Sequence, residues 1–196
     1  MMYIQHRVNT IDQLLGIPSE YGVEIDLRAS GSKICLQHEP FLIGENFVDW
    51  IRAYKGRTLI LNVKEDGLEF KIERILKDAK IEEYFYLDQP FPTLLKSIHR
   101  GSRVAVRCSE YENLDSFGEL DFQWVWIDSF SGTWDHLDSA LTFAQARGAK
   151  TCLVSPELQG RNIDSVETRG LLNLTNFGLL DAICTKSPEW WKNAQI

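Results

Sequence analysis

Eight short apolar runs, spread along the whole chain and separated by segments of helical periodicity, constrain this sequence more than any other feature. The runs are MYIQH (2–6), GVEIDL (22–27), TLILNVK (58–64), YFYLDQ (84–89), RVAVRC (103–108), WVWIDSF (124–130), KTCLVS (150–155) and LLDAICT (179–185). They are rich in β-branched and aromatic residues, as buried parallel strands are. Between them lie segments such as NFVDWIRAYKG, LEFKIERILKDAK, FPTLLKSIHRG and TWDHLDSALTFAQARGA, with apolar residues at helical spacing and several terminal glycines. Strands alternating with helices predict an α/β domain with a parallel sheet, and eight strands are the number that closes a barrel. The expected fold is therefore a compact (β/α)₈ TIM barrel, one domain over residues 1–196, with loops trimmed below the ~250 residues usual for that architecture. An open doubly wound sheet would call for a glycine-rich phosphate loop after the first strand, and HRVNT has no glycine. The link from the first run to the second is short, and SGSKICLQHEP after the second reads as an extra extended piece.

Composition narrows the partners. The net charge is −7, with 44% hydrophobic and 25% charged residues, an ordinary soluble balance. An acidic surface argues against binding nucleic acid, whose affinity rests on Lys and Arg neutralising phosphates, and against docking on an anionic membrane. MMYIQHRVNT lacks the basic and apolar stretches of a leader, and no apolar run approaches ~18 residues, so the expectation is a cytoplasmic protein without membrane insertion. Cys35, Cys108, Cys152 and Cys184 lie in separate strand-like runs without a C-x-x-C pair, as buried free thiols in a reducing compartment do.

The strand bodies are apolar, yet their ends collect charge. If Val23, Ile25 and Leu27 face the helices, Glu24 and Asp26 both face the interior, near the strand's carboxyl end, where barrel enzymes gather their catalytic groups. The first run ends in His6-Arg7, the third in Asn62 and Lys64, the fifth in Arg107 and the sixth in Asp128, and Glu157 follows the seventh. A single charge at a strand end is ordinarily where the chain meets water. Two like charges on one buried face need a cation, a proton or basic neighbours such as Lys64, Arg7 and Arg107. His99 and His136 fall in helical stretches and read as surface residues, and Trp190-Trp191 reads as packing for a C-terminal helix.

The order His6-Arg7, Glu24-x-Asp26, His38, Asn62-x-Lys64 resembles the glycerophosphodiester phosphodiesterase family and, more broadly, the superfamily of phosphatidylinositol-type phospholipases C. Asn9-Thr10 stand where that family has its N-T pair, without the insertion that usually precedes it. Glu39 follows His38 where Asp is usual, Asn62 takes the place of a Glu, and Lys186 replaces an Asp in GLLDAICTKSP. The resemblance implies a (β/α)₈ barrel that cleaves phosphodiesters. His6 and His38 would be the general acid and base, Lys64 and Arg7 the ligands of the substrate phosphate, and Glu24, Asp26 and Asn62 the ligands of Mg²⁺ or Ca²⁺; Arg107, from its place at the end of the fifth run, is a further phosphate-ligand candidate ranked after Lys64, against the commoner reading of an exposed, salt-bridging arginine. With a neutral amide at position 62 the cation would be weakly held, and metal-independent action, with Lys64 and the arginines in its place, is the competing mechanism. The expected substrate is a small soluble phosphodiester such as a glycerophosphodiester. The alternative from another class is a degenerate barrel that binds phosphate esters or serves as a scaffold, to which Asn62 and Lys186 point.

Overall fold

The computed structural model describes residues 1–176 and 178–194. It is a mixed α/β structure whose chain divides into two compact units, one of His6–Val104 and one of Met1–Gln5 together with the chain from Ala105 onward.

In the His6–Val104 unit, β2 (Gly22–Ser30), β5 (Leu59–Val63) and β6 (Tyr84–Leu87) run parallel in that order. The piece after β2 is extended, as expected: β3 (Lys33–Leu36) folds back antiparallel on β2, and the short β4 (Glu45–Asn46) pairs with β3. Register decides which residues share a face. Val23, Ile25 and Leu27 stand opposite Leu59, Leu61 and Val63, whereas Glu24 stands opposite Ile60 and Asp26 opposite Asn62. Alternation puts the second set on the other face of the same sheet. Helices α2 (Phe47–Ala53), α3 (Glu69–Asp78) and α4 (Phe91–His99) bury Phe47, Trp50, Ile51, Ile72, Leu76 and Leu94. A short helix the strand–helix reading did not anticipate, α1 (Ile11–Leu15), fills the link before β2. Its sequence signal is a capping box: the Gln13 amide donates to Thr10 Oγ1 and the Thr10 amide to Gln13 Oε1, both at 3.1 Å.

In the other unit, β7 (Ala105–Cys108), β8 (Trp124–Ile127), β9 (Lys150–Val154), β10 (Ala182–Thr185) and β1 (Met2–Gln5) form a parallel sheet in that order. The three parallel strands of one unit and five of the other are the eight runs legible in the sequence. Helices α5 (Leu137–Arg147), α6 (Val166–Asn176) and α7 (Pro188–Asn193) complete it. Trp191 is fully buried and donates its indole N–H to Ser155 Oγ at 2.9 Å, the packing role expected of it. All four cysteines are free and buried. No helix among the described residues is long and apolar enough to cross a membrane.

Candidate active site

The polar face of β2 and β5 carries a connected cluster. Directly after β1 the chain turns at Arg7, whose φ of 60° lies in the left-handed region, an uncommon conformation for a residue with a Cβ. The turn aims the Arg7 amide at Glu24 Oε2, 2.8 Å away, while the next amide, of Val8, donates to the Glu24 carbonyl at 2.8 Å. His6 Nε2 lies 3.6 Å from the same Glu24 Oε2. Asn9 grips Asp26 at two points: its side-chain amide donates to Oδ2 at 2.7 Å, and its Oδ1 accepts from the Asp26 backbone at 2.9 Å. Lys64 Nζ reaches Asp26 Oδ1 at 3.0 Å, and Arg7 Nε stands 3.7 Å from Oδ2. His6, Arg7, Asn9, Glu24, Asp26 and Lys64 are thus joined, with Asn62 in register beside Asp26.

His38 enters from the β3 side. The Gln37 amide donates to the Asp26 carbonyl at 2.9 Å, which ties the backbone next to His38 to the strand bearing the carboxylates. Arg28 donates to the His38 carbonyl from Nε at 3.1 Å and Nη2 at 2.9 Å, and its third contact is Glu65 Oε1 at 3.3 Å. The imidazole is held by Glu39, whose Oε1 lies 2.6 Å from Nδ1. A carboxylate accepts, so the ring nitrogen facing it carries the proton and Nε2 is left as the acceptor. Arg28 was not among the expected site residues, although 24, 26 and 28 are an i, i+2, i+4 series on one strand face.

The electrostatics of the two acids differ. Burial first, and then the charge of Asp26, push the Glu24 carboxyl up to about 8, against the Arg7 amide, Lys64 and Asn62, which favour its charged form. Asp26 is equally buried but has Lys64, Asn9 and Arg7 on its oxygens. Two buried oxygens of the cluster have no hydrogen-bond donor, Glu24 Oε1 and Asn62 Oδ1. Buried acceptors in that condition call for a proton, a water or a hard cation. Among the described residues no group of three or more His, Cys, Asp or Glu side chains is arranged to hold a metal ion. The donor set therefore fits a divalent ion only through these two oxygens, one on a neutral amide, with Asp26 already engaged by Lys64.

Arg107 belongs to the other unit and is engaged there. Its Nη1 meets Asp128 Oδ2 at 3.1 Å, its Nε is 3.8 Å from Glu112 Oε2, and its guanidinium lies over the Phe130 ring. Asp128 also accepts from Gln159 Nε2 at 3.0 Å on both oxygens and from the Ser129 amide at 2.8 Å. Glu157 accepts from Ser155, Thr185 and the Lys186 amide. His136 is not simply a surface residue, since its Nε2 bonds the Asp128 carbonyl at 2.8 Å. His99 is exposed, as expected.

No family model matches the chain, and no curated protein matches it. Solved structures do. A glycerophosphodiester phosphodiesterase from Agrobacterium tumefaciens str. C58 superposes with a TM-score of 0.70 over 100% of both chains, at 12% identity. A phosphoribosyl anthranilate isomerase from Thermus thermophilus superposes with a TM-score of 0.51 over 94% of this chain and 86% of its own, also at 12% identity. At such identities the likeness shows a shared α/β fold.

Proposed function

We propose that the protein is a phosphodiesterase or phosphodiester lyase for a small soluble phosphodiester such as a glycerophosphodiester, built as one (β/α)₈ barrel domain over residues 1–196. The observation that carries this reading is the cluster itself: a histidine, an ammonium and a guanidinium gathered on two buried carboxylates of one strand, β2. The fold shared with a glycerophosphodiester phosphodiesterase supports it. Buried, free cysteines agree with a reducing, cytoplasmic setting.

In this reading Lys64 and Arg7 face the phosphoryl oxygens and stabilise the charge that builds on them in the transition state. His38 takes the proton of the attacking oxygen, from water or from a neighbouring substrate hydroxyl, on the Nε2 that Glu39 leaves open. The new P–O bond forms as the bond to the departing alcohol breaks, and His6 supplies that alkoxide with its proton. Glu24, 3.6 Å away, orients the His6 ring, and Asn9 fixes Asp26 so that Lys64 has a defined position. Mg²⁺ or Ca²⁺, if held by Glu24 and Asn62 beside Asp26, would supply further positive charge for the phosphoryl oxygens. Arg107 is a weaker phosphate ligand in this scheme, because Asp128 and Glu112 already engage it. The second reading, a phosphate-ester binding barrel without turnover, is favoured by Asn62, whose amide replaces a charged ligand. A panel of glycerophosphodiesters, assayed for released alcohol with and without Mg²⁺ or Ca²⁺, separates the two. Turnover lost in His38→Ala with unfolding temperature unchanged is the expected result, whereas binding without turnover of any diester selects the second reading.

A further inference from the structure

Three residues beyond His38 the chain does something a soluble domain rarely does. Phe41, Leu42 and Ile43 follow one another at 102%, 60% and 96% exposure. Isolated exposed apolar residues need no explanation, but three in succession at a loop tip do. The tip is built. Phe41 has φ 65°, a left-handed conformation that an aromatic residue seldom adopts. The loop base is fixed on both sides. Gly44 packs so tightly on the Leu36 carbonyl that a Cβ there would overlap it, β4 pairs with β3 immediately afterwards, and Glu45 Oε2 accepts from the Ile11 amide at 2.7 Å. Pro40 precedes the tip and Asn46 caps α2, its Oδ1 accepting from the Val48 amide at 2.8 Å.

We propose that the Phe41-Leu42-Ile43 tip is a docking element for a zwitterionic lipid surface, seating the His38 side of the site against the phosphodiester headgroups there. The occupant follows from size and charge. An aromatic side chain buries about 150–250 Å² and the two aliphatic ones less, so the tip falls short of the ~800 Å² per partner of a stable protein interface. A wedge of this size suits insertion among acyl chains, where depth and not breadth supplies the contact. Residues 37–49 contain Glu39, Glu45 and Asp49 but no Lys or Arg, and the chain carries −7 overall. Acidic flanks repel an anionic leaflet and leave a zwitterionic one as the complement. The inference extends the expected small soluble diester toward phosphodiesters presented at an interface. That extension rests on the phosphodiesterase reading, but the docking itself does not.

The full chain with Ile43→Cys, labelled with the environment-sensitive dye NBD, tests it, because the four native cysteines are buried and leave the label to the tip. With phosphatidylcholine vesicles the emission should rise several-fold and shift to the blue, and unlabelled protein should float with the vesicles. The triple variant Phe41→Ser/Leu42→Ser/Ile43→Ser should fail to float while keeping its unfolding temperature and its rate on a soluble glycerophosphodiester. Vesicles containing phosphatidylserine should bind less. No emission change and no flotation would overturn the proposal, as would equal or tighter binding to the anionic vesicles. An emission change that needs only higher protein concentration, with the triple variant shifting from dimer to monomer in sedimentation, would overturn it in favour of a second copy. Flotation without turnover of any diester would sink the phosphodiesterase reading and leave the docking intact.

Discussion

The two units handle buried strand-end acids in opposite ways. Around Asp128 the donors are complete: Ser129, Gln159 and Arg107 cover both oxygens, and the half-buried Glu157 is covered likewise by Ser155, Thr185 and the Lys186 amide. On β2 the accounting is left open. Asp26 is satisfied, yet Glu24 on the same strand has an oxygen without a donor, and an oxygen of Asn62 on the next strand is in the same condition. Closed polar networks hold a fold in one arrangement, whereas open ones hold unspent capacity to bind. A buried acid with one oxygen left unpartnered persists only where something other than stability retains it, and it stands here beside His6.

The largest expected effect breaks or confirms this contrast directly. His6→Ala and His38→Ala should each lower turnover of a phosphodiester by about 10²–10⁴-fold, the usual contribution of a general acid or base. His136→Ala, beside Asp128 in the other unit, should change the rate little. Steady-state kinetics on the three variants, with unfolding temperatures as control, decide it; a rate loss in His136→Ala equal to the others would erase the distinction between the units.

A second test is read in stability. Asp128→Asn replaces a charge that three donors share and should destabilise by about 1–3 kcal/mol. Glu24→Gln should be neutral or stabilising by up to ~1 kcal/mol, since the amide removes a buried acid whose charged form burial and Asp26 disfavour. It should abolish most activity at the same time. Urea unfolding of the two variants gives the comparison, and a Glu24→Gln protein markedly less stable than the parent would show that the acid is structural after all.

The smallest effect concerns the cation. Asn62→Glu adds a charged oxygen where a neutral one stands and should tighten Mg²⁺ or Ca²⁺ by about tenfold, ~1.4 kcal/mol. Calorimetric titration measures it, and Glu24→Gln in the same background should cancel the gain. Unchanged affinity for both ions would leave Lys64 and Arg7 as the countercharges and favour metal-independent action.

Much of this was legible because alternation is a geometric necessity in a strand. Glu24 and Asp26 had to share a face with one another, and Asn62 with Lys64, whatever the rest of the chain did. The strand–helix order carried the fold in the same way. What escaped the sequence depends on contacts between segments distant along the chain. Nothing in Arg28 announces that it will clasp the His38 carbonyl, and Asn9 was visible only as half of a dipeptide, not as the two-point grip on Asp26. The helix α1 was overlooked because five residues carry too little periodicity, although T-x-x-Q was there to be read. Arg107, placed with the phosphate ligands by its strand-end position, is held by Glu112 and Asp128 of its own unit, contacts set by how the loop after β7 and the end of β8 fold and not by spacing.

One feature of the five-stranded sheet bears on biosynthesis. β1 is made long before its register partner β10, Met2 opposite Ala182 through Gln5 opposite Thr185. The His6–Val104 unit is continuous and can acquire its own pairings while translation proceeds. The pairing of β1 with β10 cannot form so early: it waits until β10 has been made, and a parallel pair closed over so long a stretch of chain forms late. Nascent chains stalled before β10 should accordingly lack this pairing, and permuted chains that join β1 directly after β10 should fold faster than the natural order.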